Sequence, residues 1–332
     1  MASSVDWTVD DTQGLVSIGT HSLYVRAAGP VRSPGTPAVI GIAGLGDSSV
    51  SWTAVLRHVS AFARCYIYDR TGLGNSELPS NFTSESKSYV NIARELRLLL
   101  NAADIKPPYL IVMHSMAGIP GREFLNLYPE DVAGLVFLDT VTEENHKIRP
   151  IKLPETMRAV WEGVDMSFLW TERKPAMTEE EWKTVLNSEG LGNEPAPEEI
   201  QDQQRKATRF EVENLIPSSD ILAQKKQFDA TILGDRPVSV IKGDAPGEYR
   251  KCLERAIAAG KGTEEQRKLI SDYLETADEK QLWLQFKQLR LSRNSRLVEA
   301  RESWHNIQWY QPDLVAREVE WCLDEFEKLK RN

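Results

Sequence analysis

Residues 109–122, YLIVMHSMAGIPGR, constrain the fold of this chain more tightly than any other stretch. Tyr109, Leu110, Ile111, Val112 and Met113 form a short buried-strand run that stops at His114-Ser115, where helix-like spacing begins. Ser115 therefore sits on a tight strand-to-helix corner. A serine so placed is held out at the top of a sheet, and the backbone N–H groups of the helix start lie beside it. Those N–H groups stabilise negative charge on an attacked carbonyl oxygen, so the corner suits acyl chemistry. The usual form of such a corner is G-x-S-x-G; here it reads Met113-His114-Ser115-Met116-Ala117, with Gly118 one place late. Ala117 is small enough for helix and strand to approach. Met113 puts a long thioether where glycine usually relieves crowding.

Strand and helix signals alternate around this corner. Residues 14–26 alternate about Gly19-Thr20-His21 and predict a hairpin. Residues 37–42 predict a buried strand, followed by AGLGDSS and an amphipathic helix over 50–62. Another strand is predicted over 65–68, ending at Asp69-Arg70, and a helix over 86–103 with Ile92, Leu96, Leu99 and Leu100 on one face. Beyond the corner, a strand over 132–138 ends at Asp139. Strands separated by helices imply an α/β fold with a doubly wound, mostly parallel sheet.

The alternation breaks after Asp139. Residues 143–217 are charged, carry Trp161, Phe168, Trp170 and Trp182, and show helical spacing without a strand, which predicts an inserted helical cap. The sheet domain is expected over 14–142 and 218–330. It resumes with a helix over 219–231, a strand over 237–241 ending at Gly243-Asp244, a last strand at Leu297-Val298 and a closing helix over 312–330. Residues 245–295 read as solvated helical faces and nothing more.

Composition narrows the function classes. A formal net charge of −9 argues against nucleic acid or an anionic membrane as partner, because both require clustered Lys and Arg. The opening MASSVDWTVDD is neither basic nor apolar, and no long apolar run follows, so a cytoplasmic chain is expected. Cys65, Cys252 and Cys322 are far apart and odd in number, which fits reduced thiols without metal-ligand spacing. No cofactor is expected. Gly44-x-Gly46 followed by Asp69 imitates a dinucleotide fingerprint, but Ser49 holds the third glycine position, leaving a nicotinamide-dependent oxidoreductase as a remote alternative.

Four motifs, in this order, resemble those of the α/β-hydrolase family of esterases, lactonases and C–C hydrolases. They are AGLGDSSVSW over 43–52, YDRTGLGNSE over 68–77, the corner at Ser115, and WHNIQWYQPD over 304–313. The resemblance implies a serine hydrolase cleaving an ester, lactone or thioester of a mid-sized, largely apolar small molecule. Serine is a weak nucleophile and needs a base within hydrogen-bond reach. Of the five histidines, His21 lies in the first hairpin, His58 on an early helix, His114 beside Ser115 pointing off the turn and His146 at the cap entrance, and His305 follows the last strand, where the family's base stands. The implied oxyanion hole is the backbone N–H of Leu45 and of Met116. Asp69 and Arg70 read as fixing their loop. The triad acid has two candidates: Asp139, favoured, at the end of the strand before the cap, and Asp244, the runner-up, after the strand beyond it. Trp161, Phe168, Trp170 and Trp182 are candidate substrate-lining residues. A lyase, a cyclase or an inactive binding relative on the same fold is the alternative, since fold does not fix function and Met113 and Trp304 are unusually large beside the catalytic groups.

Overall fold

Strands β5 (Tyr109–His114) and β6 (Val132–Leu138) are buried at every residue, which requires a helical layer on each face of the sheet. The computed structural model, which describes residues 5–9, 11–194 and 196–331, supplies both layers. The remaining strands are β1 (Thr12–Ser17), β2 (Ser22–Ala28), β3 (Ala38–Ile42), β4 (Cys65–Tyr68), β7 (Val238–Lys242) and β8 (Ser295–Glu299). They form one eight-stranded sheet in the order β1-β2-β4-β3-β5-β6-β7-β8. The β1–β2 hairpin joins the edge antiparallel, and every pairing from β4 to β8 is parallel. The expected doubly wound, mostly parallel sheet is thus the observed one.

Helices α1 (Thr53–Val59), α2 (Tyr89–Ala102) and α3 (Gly118–Leu127) fill the crossovers. The stripe Ile92, Leu96, Leu99 and Leu100 of α2 is buried. Leu96, Leu99 and Leu100 pack with Ile40, Ile111 and Leu135 on one face of the sheet. Fully burying each such side chain contributes about 1.5–3 kcal/mol, so this stripe suffices to fix the helix to its face.

Between β6 and β7 lie α4 (Asn145–Ile148), α5 (Leu153–Trp161), α6 (Phe168–Thr171), α7 (Glu179–Ser188), α8 (Glu198–Ala223) and α9 (Gln227–Ala230). A single helix, α8, runs across the 217/218 boundary expected from sequence, with Pro217 inside it. The separate helix expected over 219–231 exists as the last turn of α8 followed by α9. Between β7 and β8 lie α10 (Ala245–Ala258), α11 (Glu264–Leu274) and α12 (Ala277–Gln288), and α13 (Ile307–Tyr310) and α14 (Pro312–Arg331) close the chain.

The reading of 245–295 as solvated faces alone is corrected by the structure. Ala256, Ile270, Tyr273 and Leu274 of α10 and α11 pack against Leu153, Met157 and Val160 of α5, a shared apolar core. No helix among the described residues is long and apolar enough to cross a membrane.

Candidate active site

Ser115 leaves β5 with φ at 54°, the left-handed region that a serine adopts only under constraint. The surroundings supply that constraint. The Val141 N–H donates to the Ser115 carbonyl at 2.7 Å, tying the corner to the loop after β6. A Cβ on Gly118 would sit 2.5 Å from the Val141 carbonyl oxygen, so that loop approaches only because residue 118 is glycine. Met113 also finds its room here. A Cβ on Gly121 would overlap the Met113 thioether sulfur, so the glycine relieving the corner stands on α3 and not on β5.

Three side chains then form one hydrogen-bonded line. Ser115 Oγ lies 2.8 Å from His305 Nε2, and His305 Nδ1 lies 2.7 Å from Asp139 Oδ2. Asp139 also has positive φ, 44°, which turns its carboxylate off the end of β6 toward the histidine. Its other oxygen, Oδ1, accepts a bond from Gln281 Nε2 of α12 at 2.7 Å. The His305 backbone N–H donates to Glu248 Oε2 of α10 at 2.9 Å. Burial pushes the His305 pKa down, but the hydrogen bond and charge of Asp139, aided by Glu248, outweigh it and leave the pKa above its ordinary value. Glu248 is itself held above the usual carboxyl range, chiefly by burial.

His114 lies beneath this line. Burial, and then the nearby His305, hold its pKa well below the ordinary value, so it is neutral. Its Nε2 is 3.1 Å from the His305 carbonyl oxygen, to which the neutral tautomer donates, and Gln308 Nε2 lies 3.4 Å from its Nδ1. The side chain fixes the backbone of residue 305 and does not reach Ser115.

The loop after β3 passes over Ser115: a Cβ on Gly44 would lie 3.3 Å from the Ser115 Cβ. Leu45 of that loop is exposed and Met116 is buried. Ala43 stands where related loops often carry histidine, and a different set of residues braces the loop here. Arg70, fully buried, donates to the Ala43 carbonyl at 2.7 Å and the Gly44 carbonyl at 2.5 Å. Its guanidinium also pairs with Glu211 of α8, at 2.7 Å and 3.0 Å. Glu211 accepts further bonds from Lys87 Nζ and from the Gly46 N–H, each at 3.0 Å. Burial pushes the Glu211 carboxyl up, but Arg70 and Lys87 hold it down to about 2. Asp69 accepts the N–H groups of Ser49 and Asn75 at 2.6 Å and 2.9 Å and is buried, so neither oxygen is presented to a ribose as the dinucleotide alternative requires.

The two acid candidates separate cleanly. Asp244 caps α10 by accepting the Gly247 N–H at 3.0 Å and pairs with Arg173 at 2.8 Å, whereas Asp139 meets the histidine. The aromatic candidates also separate. Trp161 lines a cavity of about 870 Å³ beside α5, α10 and α11. Phe168 instead packs edge-on to Trp304 at 6.0 Å; Trp170 meets Trp182 at 6.1 Å, and Trp182 meets Trp309 at 5.5 Å. Phe168 is buried in this aromatic cluster, and Trp170 and Trp182 are half-buried within it. Sequence reading missed Gln281, Glu248, Glu211 and Lys87. Gln281, Glu248 and Glu211 lie on helices rich in charge and Lys87 in the short turn before α2, where the one residue turned inward carries no local mark.

Comparison with known proteins agrees with the fold. Residues 37–184 match the model of the alpha/beta hydrolase fold family. The chain is 33% identical over 325 residues to a probable transporter, efuK, of Hormonema carpetanum, covering 96% of this chain and 44% of that longer protein. To an AB hydrolase superfamily protein of Gibberella zeae it is 28% identical over 324 residues, covering 94% of this chain and 96% of the other. The solved 2-hydroxy-6-oxo-6-phenylhexa-2,4-dienoate hydrolase of Rhodococcus sp. strain RHA1 has a TM-score of 0.60 at 17% identity, covering 96% of this chain and 100% of that one, a likeness of fold. With its strand order, its corner at Ser115 and the family match over 37–184, the chain has the alpha/beta-hydrolase fold.

Proposed function

We propose that this chain is a serine hydrolase that cleaves an ester, lactone or thioester through an acyl-enzyme. The observation that carries this reading is the line from Ser115 Oγ to His305 to Asp139, with contacts of 2.8 Å and 2.7 Å. Ser115 Oγ attacks the carbonyl carbon while His305 Nε2 takes its proton. Asp139 holds the Nδ1–H tautomer and stabilises the imidazolium. The tetrahedral oxyanion is held by the N–H groups of Leu45 and Met116. When it collapses, the bond to the leaving oxygen or sulfur breaks, and that atom takes the proton from His305. Water then attacks the acyl-serine with His305 again as base, releasing the acid and restoring Ser115. Epoxide opening and dehalogenation through an alkyl-enzyme ester need a carboxylate at position 115.

A fluorophosphonate probe tests the reading, because it labels only an activated serine. Ser115 is expected to label, and Ser115→Ala to lose both labelling and turnover of aryl esters. Retention of near wild-type turnover by Ser115→Ala would sink the proposal.

A further inference from the structure

The 870 Å³ cavity carries chemistry that the triad does not use. Its walls are largely apolar and aromatic, including Leu153, Met157, Trp161, Tyr249 and Tyr273, and Arg149 lines it as well. Two N–H groups of these lining residues, Arg149 Nε and Trp161 Nε1, are buried without a hydrogen-bond partner. Buried donors are rarely left unpaired, and here both orphans are donors, so what they lack is an acceptor. Arg149 forms no ion pair among the described residues; its guanidinium sits 5.9 Å from the centre of the Tyr273 ring and is hydrogen-bonded to that side chain. The carboxylate nearest in influence, Asp139, is committed to His305 and Gln281. Glu155 and Glu162 also line the cavity, but from exposed positions of α5 where water screens them.

No triad residue lines the cavity, and its wall reaches the site through neighbouring residues. Arg149 is close enough for its charge to act on His305, and Tyr249 follows Glu248, the acceptor of the His305 N–H. Arg158 lines both this cavity and a second one, about 600 Å³, that reaches Gly46 of the loop over Ser115. A neutral acceptor would satisfy the two N–H groups yet leave the guanidinium charge uncompensated. An anion does both.

We propose that this cavity receives an ionised carboxylate borne on the apolar body of the substrate, with the Arg149 guanidinium and the Trp161 indole N–H as its ligands. The inference rests on the hydrolase reading and sharpens it: the substrate is an anionic ester, lactone or thioester, ionised at a second carboxyl away from the scissile bond.

Isothermal titration of the full chain with 4-phenylbutyrate and with 4-phenylbutyramide, matched in shape and different in charge, tests this. A charge-assisted hydrogen bond to Arg149 is expected to favour the acid by about tenfold or more. The acid, and not the amide at equal concentration, is expected to slow fluorophosphonate labelling of Ser115. Arg149→Gln is expected to abolish the preference and Arg149→Lys to keep part of it. Trp161→Phe, which keeps an aromatic ring and loses the N–H, is expected to weaken the acid severalfold, and it carries the test if a melting curve finds Arg149→Gln unfolded. Equal affinities, binding of neither compound, or a preference surviving Arg149→Gln overturns the proposal. Absence of Ser115 labelling overturns the hydrolase reading instead, so the two failures are distinguishable.

Discussion

Ser115 and Asp139 are two of the non-glycine residues held at positive φ, and strain of this kind persists only where the surroundings over-determine it. Both stand at the ends of adjacent strands, where the backbone twist delivers each side chain to His305. Replacing Asp139 by Asn is expected to lower turnover by up to about 10⁴, the size of the loss in the trypsin-type triad. Asp244→Asn keeps an acceptor for the Gly247 N–H, since asparagine caps a helix as well as aspartate, and loses only the charge facing Arg173, so it is expected to have far less effect on rate. Turnover measured on both folded variants decides between the two acids. The pH profile has a definite sign. His305 acts as base only when neutral, and its pKa lies above the ordinary 6.5, so kcat/KM should rise with pH through a midpoint above that value. In Asp139→Asn the principal raising influence is gone, and the midpoint should move down. Sequence alone left the acid open because Asp139 and Asp244 both end strands beside the site. The difference lies in the loop after β7, where Pro246-Gly247 begins a helix at once and turns Asp244 into its cap. The contact between Met113 and Gly121 gives a further test. Gly121→Ala should destabilise the protein by about 1–3 kcal/mol through overpacking. In melting curves of a double-mutant cycle, Gly121→Ala should cost less in a Met113→Ala background than in the wild type, although Met113→Ala itself leaves a cavity.

At the scale of elements, α8 is more than a cover. Its Glu211 reaches the Arg70–Lys87 pair and the Gly46 N–H, so the loop expected to hold the oxyanion is braced by a helix more than a hundred residues away in sequence. Glu211→Gln leaves two buried cations short of a partner and should cost about 3–5 kcal/mol, read as a lowered melting temperature. Turnover should also fall, by up to about 10², as the loop donors lose their aim. The wild-type contribution follows the depressed carboxyl: it is present above the unfolded value near 4.5 and lost only as pH falls toward about 2. In Glu211→Gln that pH-dependent part should vanish. None of this was legible in the sequence, where Ala43 in place of histidine removed the familiar brace and Glu211 is one of many acidic residues on a charged helix. The strands, by contrast, were legible because burial on both faces leaves continuous apolar runs, as in β5 and β6.

Across the whole molecule, two helical insertions, one before β7 and one after it, meet at α5, α10 and α11. The sequence revealed the first through its break in alternation. It hid the second, because helices with one apolar stripe and three solvated sides read locally as polar. The joint construction bears on how such proteins are recombined. A segment grafted over 143–217 from a chain with no carboxylate at the position equivalent to 211 would leave Arg70 and Lys87 short of their partner, and its α5 would have to match the α10 and α11 already in place. The graft is expected to fold poorly and turn over slowly, and restoring Glu at the equivalent of position 211 should recover part of both, as activity and melting of the paired chimeras would reveal. What holds the loop is therefore not a contiguous block: residues 43–46, Arg70, Lys87 and Glu211 depend on one another, and removing Arg70 or Glu211 leaves a buried group of the set without a partner.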